Sequence, residues 1–305
     1  MRLRQIEYFI AVAEAGSLTK AAKDILVAQP SLSQQIAALE SELGAPLFER
    51  LPRGLALTGE GRVFLVEARR VVAAVSRAKA TVRTSAAGEG GELRLGTVTS
   101  LAARLIPETA GRWMDLAPRS SLRLSEYHHS DALTAALESG DIDLAIGPIP
   151  ARKHAAQESL GWEEFTFVVP RSDPLSARDR LDAADLAERQ WVLFDEGHGL
   201  TQLIERVCAI AGFAPKIGVR TTQVTTAARL ADAGLGPTLL PANVLDPDSA
   251  ASSHSATRPI IRELCAYARQ PFRHLDRSFV EALRLSELAP RPSSDYDNGA
   301  GIQRL

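Results

Sequence analysis

The sequence predicts an α/β chain with an all-α N-terminal head, a long linker helix and a two-lobed body. Three observations predict this. Short helical patterns fill residues 3–43, and a basic Gly/Pro hairpin follows them. A markedly apolar helical stretch then runs from Gly59 to about Ala87. From Glu92 onward, strand patterns alternate with helical ones.

Leu3 to Ala15 reads as a helix, because Ile6, Phe9, Ile10 and Ala13 recur at helical spacing. Gly16 ends it and Ser17 can cap the next, where Ala21, Ala22, Ile25 and Leu26 face inward. After the turn Val27-Ala28, Pro30 suits the first turn of a third helix. Leu32, Ile36, Leu39 and Leu43 form its buried face, and Gly44 is a C-terminal cap. Its other face shows Gln29, Ser31, Ser33, Gln34 and Gln35, uncharged groups able to read base edges and phosphates alike. With the hairpin Leu47–Thr58, this is the layout of a winged helix-turn-helix.

Thr58 can cap the long helix, whose Val63, Phe64, Val66, Val71, Val72 and Val75 make it too apolar for a solvated spacer. Such a helix needs a partner, and it reads as a dimerisation helix. Candidate strands beyond it are Leu93–Val98, Leu122–Tyr127, Asp143–Gly147, Phe165–Val169, Trp191–Phe194, Ile217–Arg220, Pro237–Leu240 and Leu264–Ala268. Helices lie between, among them Leu101–Leu116, Asp131–Ser139, Leu200–Ala211 and Val224–Ala233. The alternation implies parallel sheets in two similar lobes, with a ligand cleft at the carboxyl ends of the strands.

Charge is unevenly distributed. Residues 1–87 hold 12 Lys and Arg against 8 Asp and Glu, whereas the remainder is acidic and brings the net charge to −2. Only the first part therefore suits phosphate. Within residues 1–58 the signs cancel, so the basic excess belongs to the linker helix. No apolar run approaches a bilayer span, and the N-terminus lacks a signal-peptide core; a cytoplasmic protein without membrane contact is expected.

In order along the chain, Leu3–Phe9, Gly16–Ala22, Gln29–Ile36 and Leu47–Arg50 resemble the LysR-type transcriptional regulators. Gly140–Gly147 and Ala233–Pro241 add weaker matches, and the resemblance spans about residues 1–290. It implies a winged helix-turn-helix over 1–58, a linker helix over 59–87 and a hinge at 88–91. It further implies a periplasmic-binding-protein-like effector domain. Its first lobe would be 92–162 plus 267–290 and its second 163–266; residues 291–305, rich in Pro, Ser, Gly, Asp and Asn, read from their composition as a disordered tail. The implied partners are promoter double-stranded DNA, a small-molecule effector and further copies of the chain, as a homodimer through 59–87 and a homotetramer. RNA polymerase is a further candidate partner. No cofactor is implied.

Gln29, Pro30, Ser31, Ser33 and Gln34 match the family's recognition-helix positions, although many relatives carry Arg where Gln34 stands. Arg53, at the wing tip beside Pro52 and Gly54, suits a narrow minor groove. Arg50 can touch phosphate or bridge within the domain. Thr99, Ser100 and Leu101 follow the first strand and open a helix, which favours an anion. Gly197-His198-Gly199-Leu200-Thr201 is a second such turn in the other lobe. Two such turns facing one cleft suit a carboxylate-bearing metabolite. His198 can bind that anion or serve as a hydrogen-bonded turn residue. Ser130, Gln223 and Val224 match positions lining the family's cleft.

No nucleophile elbow, phosphate-cradling Gly-rich loop or paired-carboxylate pattern appears, so no enzyme is expected. His128-His129 is a polar loop at the cleft mouth, because adjacent residues rarely converge on one metal. In the family's peroxide-sensing branch, a reactive cysteine occupies the position of Gly199, and Cys208 matches the resolving cysteine. Without the attacking thiol, no peroxide-sensing disulfide is expected.

Overall fold

The computed structural model describes residues 1–51, 54–87, 90–245, 253–291 and 303–304. They form two compact units, one built on residues 1–89 and one on the chain from Gly90 onward.

In the first unit, α1 (Leu3–Ala15) buries Ile6, Phe9 and Val12 and stops at Gly16, whose φ is 63°. Ser17 caps α2 (Leu18–Asp24), its hydroxyl accepting the Lys20 N–H at 3.4 Å. Ala21 and Ala22 are buried, and their small side chains let neighbouring helices cross closely. α3 (Gln29–Leu43) carries Pro30 in its first turn, buries Leu32, Ile36 and Leu39, and ends at Gly44 with φ 71°. Strands β1 (Phe48–Arg50) and β2 (Leu55–Leu57) pair antiparallel as the wing. Glu40 of α3 pins that hairpin, its Oε1 accepting the Leu47 and Phe48 N–H groups at 2.7 and 3.1 Å.

Thr58 Oγ1 accepts the Gly61 N–H at 2.9 Å and starts α4 (Gly59–Ala87). A Cβ on Gly61 would lie 2.1 Å from the Leu47 carbonyl oxygen, so only glycine lets this helix begin against the hairpin. Ala68 joins the head's core, with Phe64, Leu65 and Val72 packed against it. The Phe9 ring lies 5.2 Å from Phe48 and 5.0 Å from Phe64. Val63, Val66 and Val71 stay exposed on the outer face of α4.

The second unit runs β3 (Gly91–Val98), α5 (Thr99–Ala102), α6 (Leu105–Leu116), β4 (Ser120–Tyr127), α7 (Ser130–Ser139) and β5 (Leu144–Pro148). It continues through β6 (Ala156–Val168), β7 (Arg180–Leu181), β8 (Gln190–Phe194), α8 (Gly199–Ile210), β9 (Lys216–Thr221), α9 (Val224–Asp232) and β10 (Thr238–Pro241). It closes with β11 (Ser253–Ala268), α10 (His274–Arg284) and β12 (Gln303–Arg304).

The largest sheet has the order β10-β6-β11-β5-β3-β4, with β7 and β12 also pairing with β11. β3 is parallel to β4 and β5, and β8 is parallel to β9. The expected parallel pairing thus holds for these strands, but β6 runs antiparallel to both β10 and β11, and β11 antiparallel to β5. The reason is topological. β6 carries the chain out of the first lobe and β11 brings it back, so they must run in opposite directions. The stretches Phe165–Val169 and Leu264–Ala268 are only the ends of these two long strands. The helix expected over Leu101–Leu116 is two, α5 and α6, broken at Ala103–Arg104.

Two separate cores define the lobes. Leu93, Leu95, Trp113, Leu133, Ile146, Leu264 and Phe279 belong to the first. Phe165, Phe167, Trp191, Phe194, Ile204, Val207 and Leu239 belong to the second. In the first lobe, Asp143 accepts from Arg94 Nε and Nη2 at 3.0 and 2.7 Å and lies 3.4 Å from Arg273, which also grips Asp276. In the second, Gly236 has φ 130°, and a Cβ there would lie 1.8 Å from the Gln190 carbonyl oxygen. That contact seats β8 beside the chain entering β10, where the Val192 N–H donates to Pro237 O at 2.9 Å.

Of the tail expected to be disordered, Arg291 exchanges backbone bonds with Trp162 at 2.8 and 2.9 Å, and β12 pairs parallel with Ile260–Ile261. Residues 292–302 and 305, like hinge residues 88 and 89, lie outside the described residues.

Candidate functional site

The polar side of α3 carries the residues expected to read DNA. Gln29, Pro30, Ser31 and Gln34 are exposed and Ser33 is half-buried. Ala28 stands at the N-cap and offers no side-chain acceptor, so the first amides of α3 are open to an outside acceptor. Arg50 ends β1 in the wing; Arg53 lies outside the described residues.

A cavity of about 460 Å³ lies between the lobes of the second unit. Thr99, Ser100, Ser130, His198 and Leu200 all line it. Three other sequence candidates sit elsewhere. Leu101 is fully buried in the first lobe's core, because it points inward from α5. Val224 is buried in the second lobe's core on the inner face of α9, and Gln223 is an exposed residue at the start of that helix.

His198 joins the two walls. Its Nδ1 accepts the Leu200 N–H at 3.1 Å and so caps α8. An accepting Nδ1 carries no proton, so Nε2–H is the donor to Thr99 Oγ1, 3.2 Å away on the opposite lobe. The ring stacks on Phe194 at 4.5 Å and is only 5% exposed. Burial holds its pKa down at about 4, helped by His128 and Arg262 and opposed by Asp195, so the ring is neutral at physiological pH. The adjacent Gly199 N–H donates to His128 O at 3.0 Å, a second bond between the lobes. His129 Nδ1 accepts the Ala132 N–H at 3.2 Å in the first turn of α7. Both His198 and His129 thus act as turn acceptors at helix starts facing the cavity. No metal-binding cluster occurs among the described residues.

Arg262 was missed from the sequence. It stands on β11 in the middle of the crossing ribbon and lines the cavity. Glu163 on β6 holds it through a bond from Nε to Oε1 of 2.6 Å. Burial raises the Glu163 pKa, and the Arg262 cation opposes that rise. The one available signal was opposite charges at facing positions of two strands, but that register is visible only once the strands are paired.

A model of bacterial regulatory helix-turn-helix proteins of the lysR family matches residues 3–62, and one of the LysR substrate binding domain matches residues 86–284. The chain belongs to the LysR family of transcriptional regulators. Curated LysR relatives include the transcriptional dual regulator GltC of Bacillus subtilis, 35% identical over 79% of this chain and 81% of that one. Another is TcbR of Pseudomonas sp. strain P51, 31% identical over 94% of this chain and 99% of its own. Among solved structures, the LysR regulator CbnR is 27% identical with a TM-score of 0.72, covering 95% of this chain and 100% of that chain. Full-length CbnR in complex with its target DNA gives 28% and 0.71, covering 93% and 99%. These relatives are regulators and not enzymes. No helix among the described residues of this LysR regulator is long and apolar enough to cross a membrane.

Proposed function

We propose that this regulator binds promoter double-stranded DNA as an oligomer and alters transcription when a small carboxylate occupies the inter-lobe cavity. The observation that carries the ligand half is the half-buried cation Arg262 in a cavity walled by Ser100, Thr99 and His198 from both lobes. Gln29, Pro30, Ser31, Ser33 and Gln34 meet the DNA, with Arg50 and Arg53 on the wing. What supports the DNA half is the exposure of Gln29, Pro30, Ser31 and Gln34 on α3, the uncapped start of that helix, and the likeness to CbnR, which has been solved on its target DNA.

Dimerisation through residues 59–87 covers Val63, Val66 and Val71, and pairs of dimers form the tetramer. The protein works in the cytoplasm, where RNA polymerase is a further partner. The effector changes the relative pose of the lobes, and does so only by binding the two poses with different affinity.

Replacing Ser100 by Phe fills the cavity without touching the head. Promoter binding in a gel-shift assay should stay unchanged while the transcriptional response disappears. Loss of both, or of neither, would remove the cavity from the mechanism. Arg53→Ala should shallow the salt dependence of DNA affinity by about one unit of log–log slope.

A further inference from the structure

We infer that Glu163 is a positioning residue that aims Arg262 into the cleft and restrains how tightly the cleft holds a carboxylate. This rests on the carboxylate reading of the cavity given above.

Arg262 and Glu163 face each other directly across β11 and β6. Directly paired residues project from the same face of a sheet, so the two side chains are neighbours by register alone. Nε and Nη2 of Arg262 both reach Glu163 Oε1. The side chains are 12% and 3% exposed. Phe165, two residues along β6 and so on the same face, sets its ring 5.2 Å from the guanidinium carbon. Ser100 Oγ accepts at 3.5 Å from Nη2 on a third side. Carboxylate, ring and hydroxyl fix the guanidinium plane, and Nη1 has no acceptor among the described residues. Arg262 is thus held through Nε and Nη2 while it lines the cavity.

The arrangement is poorly explained as a stabilising ion pair. Glu163 Oε2 is buried without a hydrogen-bond partner, so the carboxylate is only half satisfied. A buried pair carries the desolvation cost of two charges, and apolar residues of the same size often serve stability as well. What the pair does provide is aim together with charge cancellation. A guanidinium bound to an adjacent carboxylate keeps a fixed orientation but a weakened positive field. An entering carboxylate therefore gains the geometry and only part of the attraction. Affinity stays low enough for the ligand to leave.

The test compares acetate binding to the full chain at fixed ionic strength, measured by saturation-transfer NMR, for the wild type, Glu163→Gln, Glu163→Leu and Arg262→Gln. Glu163→Gln keeps an oxygen acceptor for Arg262 and removes the charge. It should tighten binding at least about tenfold, equivalent to about 1.4 kcal/mol. Glu163→Leu removes charge and aim together and should fall well short of that gain. Arg262→Gln should abolish binding. A Glu163→Gln affinity equal to or below wild type overturns the role assigned to Glu163, and a Leu variant as tight as the Gln variant overturns the aiming part. Acetate binding by wild type that survives in Arg262→Gln overturns instead the carboxylate reading of the cavity, as does absence of binding in every variant.

Discussion

Acid should loosen the second lobe through one imidazole. His198 has a folded pKa of about 4 against 6.5 in the unfolded chain. A depressed folded value means the unfolded state binds the proton first. His198 therefore contributes stability that is fully present above pH 6.5 and lost as pH falls toward 4. Between pH 7 and pH 5 the loss is about 2 kcal/mol, within a ceiling of about 3 kcal/mol for the whole shift. Its structural form is specific. A proton on Nδ1 removes the acceptor that caps α8 and leaves the Leu200 N–H unpaired. Asn at position 198 supplies a similar cap acceptor and does not titrate. Urea unfolding at pH 7 and pH 5 should show wild type losing about 2 kcal/mol more than His198→Asn. The comparison cancels the titration of all other groups. Equal losses would refute both the depressed pKa and the capping role, as would a His198 ring-proton titration centred near 6.5.

Three further outcomes follow from packing. Gly236→Ala forces a methyl to 1.8 Å from the Gln190 carbonyl at a φ that suits glycine, and should cost at least about 3 kcal/mol in denaturant unfolding. Asp143→Asn takes the charge from a carboxylate paired with Arg94 and Arg273. The thermal transition should fall, with a cost of about 3 kcal/mol. Cys208 and Cys265 are buried, and burial pushes their thiol pKa values up to about 12 and about 11. Neither should react with iodoacetamide in the folded protein at about pH 7.5, and mass spectrometry after mild peroxide should find no bond between them.

The head was legible almost residue by residue because its signals are local. Gly16, Ser17, Pro30 and Gly44 punctuate three helices whose apolar spacing needs no distant partner. Helices α7, α8 and α9 were legible for the same reason. β6 and β11 were seen only at their ends, because their middle stretches carry Glu158, Glu163, Glu164, Arg262 and Glu263, which break an apolar strand pattern. Those charges fall where the chain crosses between lobes, and this hid both the length of the strands and Arg262. The split between α5 and α6 was likewise illegible, since neither glycine nor proline marks Ala103–Arg104. The place of Thr99, Ser100 and His198 along the cavity was legible because hydroxyls and a Gly-flanked turn announce strand-to-helix junctions. Leu101 was carried along as their neighbour, although its side chain faces inward.

The crossing ribbon also fixes an order of assembly. Both cores wait for β11: Ala256 and Ile260 complete the second, and Leu264 and Tyr267 the first, before Phe279 and Leu283 seal it. A nascent chain has already produced the first lobe's core residues from Leu93 to Ile146 long before these arrive. At about 5–20 residues per second, a half-built first lobe stands open for roughly 5–25 s while the second is synthesised. The segment from β11 onward thus acts as a closing stitch for two bodies at once, and a stop codon just ahead of β11 would leave neither lobe with its central strand.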